Sequence, residues 1–160
     1  MSKALQLANR FREVLLDGKW IANTNWQQQL ADVTLQQAVY QTANLNTIAL
    51  LTFHVNYYIN GLNHFFEHGE LTIRDKFSFD IPELQNESHW EALKQQLFDN
   101  ANQFAAYVEK LNETELAAVF VKEDYGTYQR NIEGLIEHSY YHLGQVSLLK
   151  KLTLTQVQNS

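Results

Sequence analysis

Apolar residues recur along this chain at the three- and four-residue spacing of amphipathic helices. Four long stretches show this pattern, and each predicts a helix that buries one face: residues 2–17, 46–68, 88–111 and 127–152. A shorter helix is predicted over residues 35–41. The segment FSFDI is the best candidate for a β-strand, and it is short.

Residues that begin or end helices flank these stretches. Capping-box spacings, in which two side chains satisfy backbone N–H groups reciprocally, occur at three positions: Thr34 with Gln37, Ser88 with Glu91, and Asn112 with Glu115. Gly18 and Gly69 stand where two long helices are predicted to stop. The segment 19–33, which carries two tryptophans, predicts an irregular but packed connection.

The pattern predicts an all-α protein, a four-helix bundle in one domain over residues 1–160. The connection between the second and third long helices has about twenty residues, far more than an antiparallel hairpin needs. The second helix is ~35 Å long at 1.5 Å per residue, and an extended crossover reaches that far. We therefore expect helices 2 and 3 to be parallel, in an up-down-down-up order.

Composition narrows the functional classes. The net charge of −6 disfavours a nucleic-acid partner, which needs a basic face. The absence of cysteine excludes disulfides, thiolate zinc ligands and a thiol nucleophile from the chain itself. The N-terminal residues resemble no signal peptide, and no apolar run reaches transmembrane length. We expect a cytoplasmic protein that binds no membrane.

Three histidines carry the candidate chemistry. His138 and His142 are four residues apart within one predicted helix, so their imidazoles share a face. His54 lies midway along the second long helix, at the edge of its apolar stripe. A third imidazole from a packed neighbour would complete a three-nitrogen metal site with open positions, and open sites are typical of catalysis.

The spacing alone is weak support, because a second pair, His64 and His68, has it too. That pair falls on the polar side at the C-terminal end of its helix, where histidine suits the helix dipole. We assign it a structural role. His89 is predicted to be an exposed residue of the first turn of its helix.

The segment IEHSYYHLGQVSLLKK strongly resembles the last helix of the DinB-like, or YfiT-like, superfamily of metalloenzymes. The family pattern is a helix 2 histidine plus a His-x-x-x-His pair followed closely by Gly-Gln, here His54, His138, His142, Gly144 and Gln145. LNTIALLTFHVNYYINGL is similar to the family's second helix. The DGKW segment and the RDKFSFDIPELQNESHWEAL crossover resemble one bacterial branch, so the resemblance covers nearly the whole chain.

This resemblance implies an up-down-down-up bundle, frequent homodimers, and a divalent metal held by His54, His138 and His142. Zinc or nickel is the first expectation for the metal, and iron or manganese the next. Characterised members of the family include bacillithiol S-transferases and a mycothiol-dependent maleylpyruvate isomerase. The resemblance therefore implies a low-molecular-weight thiol as cosubstrate, together with a small-molecule substrate.

Three functional hypotheses follow. The first is a thiol-dependent S-transferase or isomerase, in which the metal favours the thiolate. The second is a metal-dependent hydrolase, which is disfavoured because no general base is evident: Ser139 follows His138, and Glu137 faces away. The third is a non-enzymatic module, a dimer that binds metal or acts in a stress response.

Two further residues are candidates for supporting roles. Gln145 shares a helix face with His138 and His142 and could orient an imidazole, although a solvated glutamine is an equally good interpretation. Tyr58 is one turn beyond His54 and could line the pocket, although an ordinary core tyrosine is the simpler interpretation.

Overall fold

The structure is a computed structural model that describes residues 1–157. Seven α-helices occupy this part of the chain: α1 Lys3–Leu15, α2 Trp26–Leu30, α3 Leu35–Ala38, α4 Ile48–His68, α5 Glu87–Glu109, α6 Glu113–Ala117 and α7 Tyr128–Val157. Two 3-10 turns, Asp75–Phe77 and Glu123–Tyr125, lie in the connections. The described residues contain no strand, and the all-α prediction is confirmed for them.

Local chemistry fixes most helix ends where the sequence predicts them. Thr34 accepts a hydrogen bond from the Gln37 N–H and caps α3, but the capping box predicted there is only half formed, because the Gln37 side chain donates to α7 instead. Asn112 and Glu115 form a reciprocal capping box at α6. Gly69 ends α4 in the left-handed conformation, with φ at 74°, which glycine adopts without steric cost.

Three local predictions are wrong. The cap of α5 is Asn86, whose side chain accepts from the His89 N–H, and Ser88 lies inside the helix. The connection over residues 19–33 is not irregular throughout, because Asn25 caps the short helix α2. FSFDI is not a strand, since its first residue closes the 3-10 turn Asp75–Phe77.

One hydrophobic core joins the four long helices. α5 packs on α1 and α4, and α7 packs on the same two helices. The largest fully buried side chains come from several elements, among them Phe11, Trp26, Trp90, Phe104 and Ile136. The apolar stripes predicted from periodicity are thus the surfaces that meet.

Trp26 ties α2 to the part of α7 that carries the histidines. Its ring is fully buried, and its Nε1 donates a hydrogen bond of 3.0 Å to the Ser139 carbonyl. Because Ser139 directly follows His138, this anchor helps fix α7 at the height of that histidine. A buried indole N–H usually has such an acceptor, because it gives up its hydrogen bond to water.

The crossover between α4 and α5, residues 70–86, lies back along α4. Gly61 makes this approach feasible: a Cβ at Gly61 would stand 2.1 Å from Ile73 Cγ2. One turn earlier, the Tyr57 hydroxyl donates to the Arg74 carbonyl at 3.0 Å and accepts from the Arg74 N–H at 2.9 Å. These contacts bring residues 75–79 to the side of His54.

Candidate metal centre

Two helices bring three imidazoles to one point. α4 supplies His54, and α7 supplies His138 and His142 from one face. His138 Nε2 lies 3.1 Å from His54 Nε2 and 3.0 Å from His142 Nε2. His54 and His142 are each only 6% exposed, and His138 is half-buried. The three histidines that the sequence predicted to converge lie together in the structure.

Hydrogen bonds at the far side of two rings determine which nitrogen carries the proton. His54 Nδ1 donates to the Ser78 carbonyl at 3.2 Å, because a carbonyl can only accept. His142 Nδ1 donates to Gln145 Oε1 at 2.6 Å. In the neutral rings, Nε2 of both histidines then presents a lone pair. Two lone pairs face His138 Nε2, which could donate a proton to only one of them.

A metal ion would resolve this conflict, and the spacing of the three nitrogens is compatible with one. Nitrogens that each lie about 2.0–2.1 Å from a tetrahedral zinc are about 3.3 Å apart. The ligand atoms of the three histidines all lie within 4.8 Å of one another. No other histidine or carboxylate of the described residues joins this group. Three protein nitrogens would thus hold an ion and leave a position for another ligand.

The surroundings keep all three rings neutral. Burial, followed by the fields of His142 and His54, lowers the pKa of His138 from 6.5 to about 4. Burial also lowers the pKa of His142. For His54, burial and then the neighbouring His142 lower the pKa, and the Ser78 hydrogen bond partly opposes them. Since only neutral imidazole binds a metal, these rings are ready as ligands near neutral pH.

The crossover supplies residues that sequence analysis missed. The Ser78 carbonyl orients His54, and the Phe79 ring stacks on the His54 ring with centroids 4.0 Å apart. Asp75 accepts a hydrogen bond from Tyr58 at 3.0 Å. The one signal available in the sequence was the length of this crossover, together with its aromatic content.

Both predicted supporting residues lie at the site. Gln145 is the hydrogen-bond partner of His142, so it is no ordinary solvated glutamine. The edge of Tyr58 contacts two of the histidine rings, with centroids 5.2 Å from His54 and 5.4 Å from His138. Tyr58 also packs against the core, as the simpler interpretation had it.

The remaining histidines lie apart from this cluster. His64 and His68 have ring centroids 4.4 Å apart on the last turns of α4, and the described residues add no third ligand to them. His89 is exposed, and its Nδ1 accepts from the Gln85 N–H at 3.3 Å. Glu137 is exposed and pairs with Arg130, as expected for a residue that faces away from the site.

A cavity of about 570 Å³ opens beside His138. Its wall combines apolar side chains with a few polar ones, including Tyr58, Leu62, Ile73, Asp75, Leu135 and His138. Small-molecule sites typically have this size and this mixture. The cluster is therefore accessible from a space that could admit a second reactant.

Comparisons with protein-family models, with curated proteins and with solved structures found no match to this chain. In the part of the chain that the structure describes, no helix combines the length and the apolar character needed to cross a membrane. The fold and the three-histidine cluster are thus the observations on which a function must rest.

Proposed function

We propose that this protein is a divalent-metal-dependent enzyme and that His54, His138 and His142 are its metal ligands. The supporting observation is the convergence of three Nε2 atoms, two of which present lone pairs because Ser78 and Gln145 fix their tautomers. Zinc or nickel suits such a nitrogen site best, and iron or manganese comes next. The resemblance to the DinB-like superfamily favours the same ligand set.

We propose a thiol-dependent S-transferase or isomerase as the reaction class. A divalent ion at the three histidines would supply a Lewis-acidic centre at which a small thiol loses its proton readily. Since the chain contains no cysteine, the sulfur must come from a cosubstrate. The protein orients two of its ligands through Ser78 and Gln145, and the cavity beside His138 offers space for an electrophile.

The finer architecture belongs to this proposal. The same family resemblance favours an up-down-down-up bundle and a homodimer, and the long crossover favours parallel α4 and α5. The measured mass in solution, by light scattering on untagged protein, tests the dimer. A monomer at all concentrations would contradict that part of the proposal and leave the metal site untouched.

Metal quantification on protein purified without an affinity tag tests the metal site. We expect about one divalent ion per chain for the wild type and a large loss for His138→Ala, because two imidazoles hold an ion far less tightly than three. His64→Ala is the matched control: it also removes one member of a helical histidine pair, and it should keep the metal. Equal metal content in the His138→Ala variant and the wild type would contradict the ligand set.

A thiol panel on the metal-loaded protein then tests the chemistry. Bacillithiol, mycothiol and glutathione are each offered with a generic electrophile, and His138→Ala serves as the inactive control. We expect turnover with at least one thiol, abolished by that substitution. No turnover with any thiol would favour a non-enzymatic metal-binding module.

Metal-dependent hydrolysis is the second candidate, and one observation favours it. The Asp75 carboxylate lines the cavity next to His138, so a base that the sequence did not reveal is present. Ester or amide cleavage that occurs without added thiol and is lost in His138→Ala would decide for hydrolysis.

A further inference from the structure

Asp75 provides a carboxylate near the three-histidine cluster, but it is not a member of that cluster. Asp75 lines the same cavity as Tyr58 and His138, and its Oδ1 accepts a hydrogen bond from the Tyr58 hydroxyl at 3.0 Å. Within the described residues, the one group of histidines and acids close enough to share an ion consists of the three histidines alone. Asp75 therefore lines the cavity into which His138 opens without being a ligand.

The turn that holds Asp75 is also the turn that orients His54. Asp75 begins the 3-10 turn Asp75–Phe77, and its carbonyl accepts from the Ser78 hydroxyl at 2.7 Å. The carbonyl of the same Ser78 accepts from His54 Nδ1 at 3.2 Å. The position of Asp75 relative to the cluster is thus set by contacts on both its main chain and its side chain.

The cavity contains a second carboxylate, and its environment differs. Asp124 is 84% exposed and forms an ion pair with Lys122 at 3.6 Å. Asp75 is hydrogen-bonded to the neutral hydroxyl of Tyr58 and forms no ion pair within the described residues. Tyr58, the hydrogen-bond partner of Asp75, also contacts the rings of His54 and His138, so Asp75 is the carboxylate that is held next to the cluster.

We propose that Asp75 accepts the proton of the molecule that binds at the three histidines, a small thiol in the reaction class proposed above, on which this inference rests. In this step the S–H bond breaks and sulfur keeps the electron pair as a thiolate. The proton forms an O–H bond with the Asp75 carboxylate, which becomes a neutral acid. Nothing is oxidised or reduced. Tyr58 acts as a positioning residue that keeps the carboxylate directed into the cavity.

The rate at which bound thiol loses its proton tests this assignment without relying on turnover. Cobalt-loaded protein is mixed with 2-mercaptoethanol in a stopped-flow instrument, and the thiolate-to-cobalt charge-transfer band is followed. Asp75→Asn has no carboxylate to receive the proton, so the band should form roughly 10²-fold more slowly and reach the same final intensity. Asp124→Asn is the matched control, and its rate should equal that of the wild type.

Turnover gives a second readout. With the thiol and a generic electrophile, loss of a positioned base should lower the rate of Asp75→Asn by roughly 10²–10⁴-fold at unchanged metal content. Asp75→Glu restores the carboxylate and should recover part of the rate. Tyr58→Phe keeps the ring against the histidines but removes the hydroxyl, so we expect a smaller loss than for Asp75→Asn.

The outcomes separate this inference from the proposed function. If Asp75→Asn equals the wild type in the rate of thiolate formation and in turnover, or if it loses the metal, Asp75 is not the acceptor. The metal site is then judged from the metal quantification alone. Metal-loaded wild type that binds no thiol overturns both this inference and the thiol-dependent reaction class. Wild type that holds no metal overturns the metal centre itself.

Discussion

Two histidine pairs with the same spacing have different surroundings in this molecule. His138 and His142 on α7, and His64 and His68 on α4, are each four residues apart, and in each pair the ring centroids are 4.4 Å apart. The α7 pair meets His54 from another helix. The α4 pair meets no further ligand among the described residues.

The difference lies in what surrounds each pair. The α7 pair is packed against α4, and burial lowers the pKa of both of its rings, while Gln145 orients one of them. In the α4 pair, His68 is 59% exposed at its side chain and lies 3.6 Å from Glu67. Helical spacing thus brings two imidazoles together, but a metal site requires a third ligand and partners that fix the ring tautomers.

Removing the third imidazole should leave the α7 pair without a further ligand, as the α4 pair is. The resulting loss of metal affinity is the largest effect that we expect. His54→Ala should weaken metal binding by more than about 100-fold, the upper end of losses caused by residues that only support ligands. A competition titration against a chromophoric chelator measures the affinity.

His64→Ala is the control for that substitution, because it removes a histidine from the same helix and from the other pair. Its metal affinity should equal that of the wild type. If the two variants lost affinity equally, the comparison between the pairs would have no functional meaning.

Removing the ring-orienting partner should have the next largest effect. Gln145→Leu leaves the His142 Nδ1–H without its acceptor, so the tautomer that presents Nε2 is no longer favoured. We expect metal affinity to fall by about 10–100-fold. Gln145→Glu keeps an acceptor oxygen and should restore most of the affinity. Equal weakening by both substitutions would show that the acceptor does not matter.

The crossover that distinguishes the two pairs depends on Gly61. A Cβ at this position would lie 2.1 Å from Ile73 Cγ2, so in Gly61→Ala the Ile73 side chain must shift, and we expect the crossover that carries Ser78 and Phe79 to be disturbed with it. Overpacking of this kind costs about 1–3 kcal/mol in the free energy of unfolding. Urea denaturation measures this loss, and a chelator competition should show weaker metal binding.

Gly144→Ala is the matched helical control, because nothing lies within 4 Å of a Cβ at Gly144. Replacing a glycine inside a helix with alanine should there leave stability unchanged or raise it by roughly 0.5–1 kcal/mol. Adding Ile73→Ala to Gly61→Ala should recover part of the loss, because the two residues are in contact and their effects are not additive. If the double variant recovered no stability, the contact with Ile73 would not be the cause of the loss in Gly61→Ala.

The sequence predicted the long helices well and the surroundings of the site poorly, for physical reasons. Periodic burial depends on residue types, so the apolar stripe of α4, which includes Val55 and Ile59, could be recognised in the sequence. The hydrogen-bond acceptor of His54 is the main-chain carbonyl of Ser78. Every residue has such a carbonyl, so the sequence could not identify this partner. Phe79 stacks on His54 only because the folded crossover lies against α4, and no residue type in the sequence marks that path.

The smallest effect should appear in the pH dependence of the metal-free protein, and it tests the burial of the α7 pair. Burial is the chief cause that lowers the pKa of His138 from 6.5 to about 4. Between these pH values the unfolded chain binds a proton at His138 that the folded protein does not bind. His138 therefore costs no stability well above pH 6.5, and its effect lowers the free energy of unfolding as the pH falls from 6.5 towards about 4.

Urea midpoints measured over this range for the wild type and for His138→Gln isolate this effect. The variant cannot bind a proton at this position when it unfolds, so it should lose less stability on acidification than the wild type. If His138→Gln lost as much stability as the wild type, His138 would not be held neutral in the folded protein.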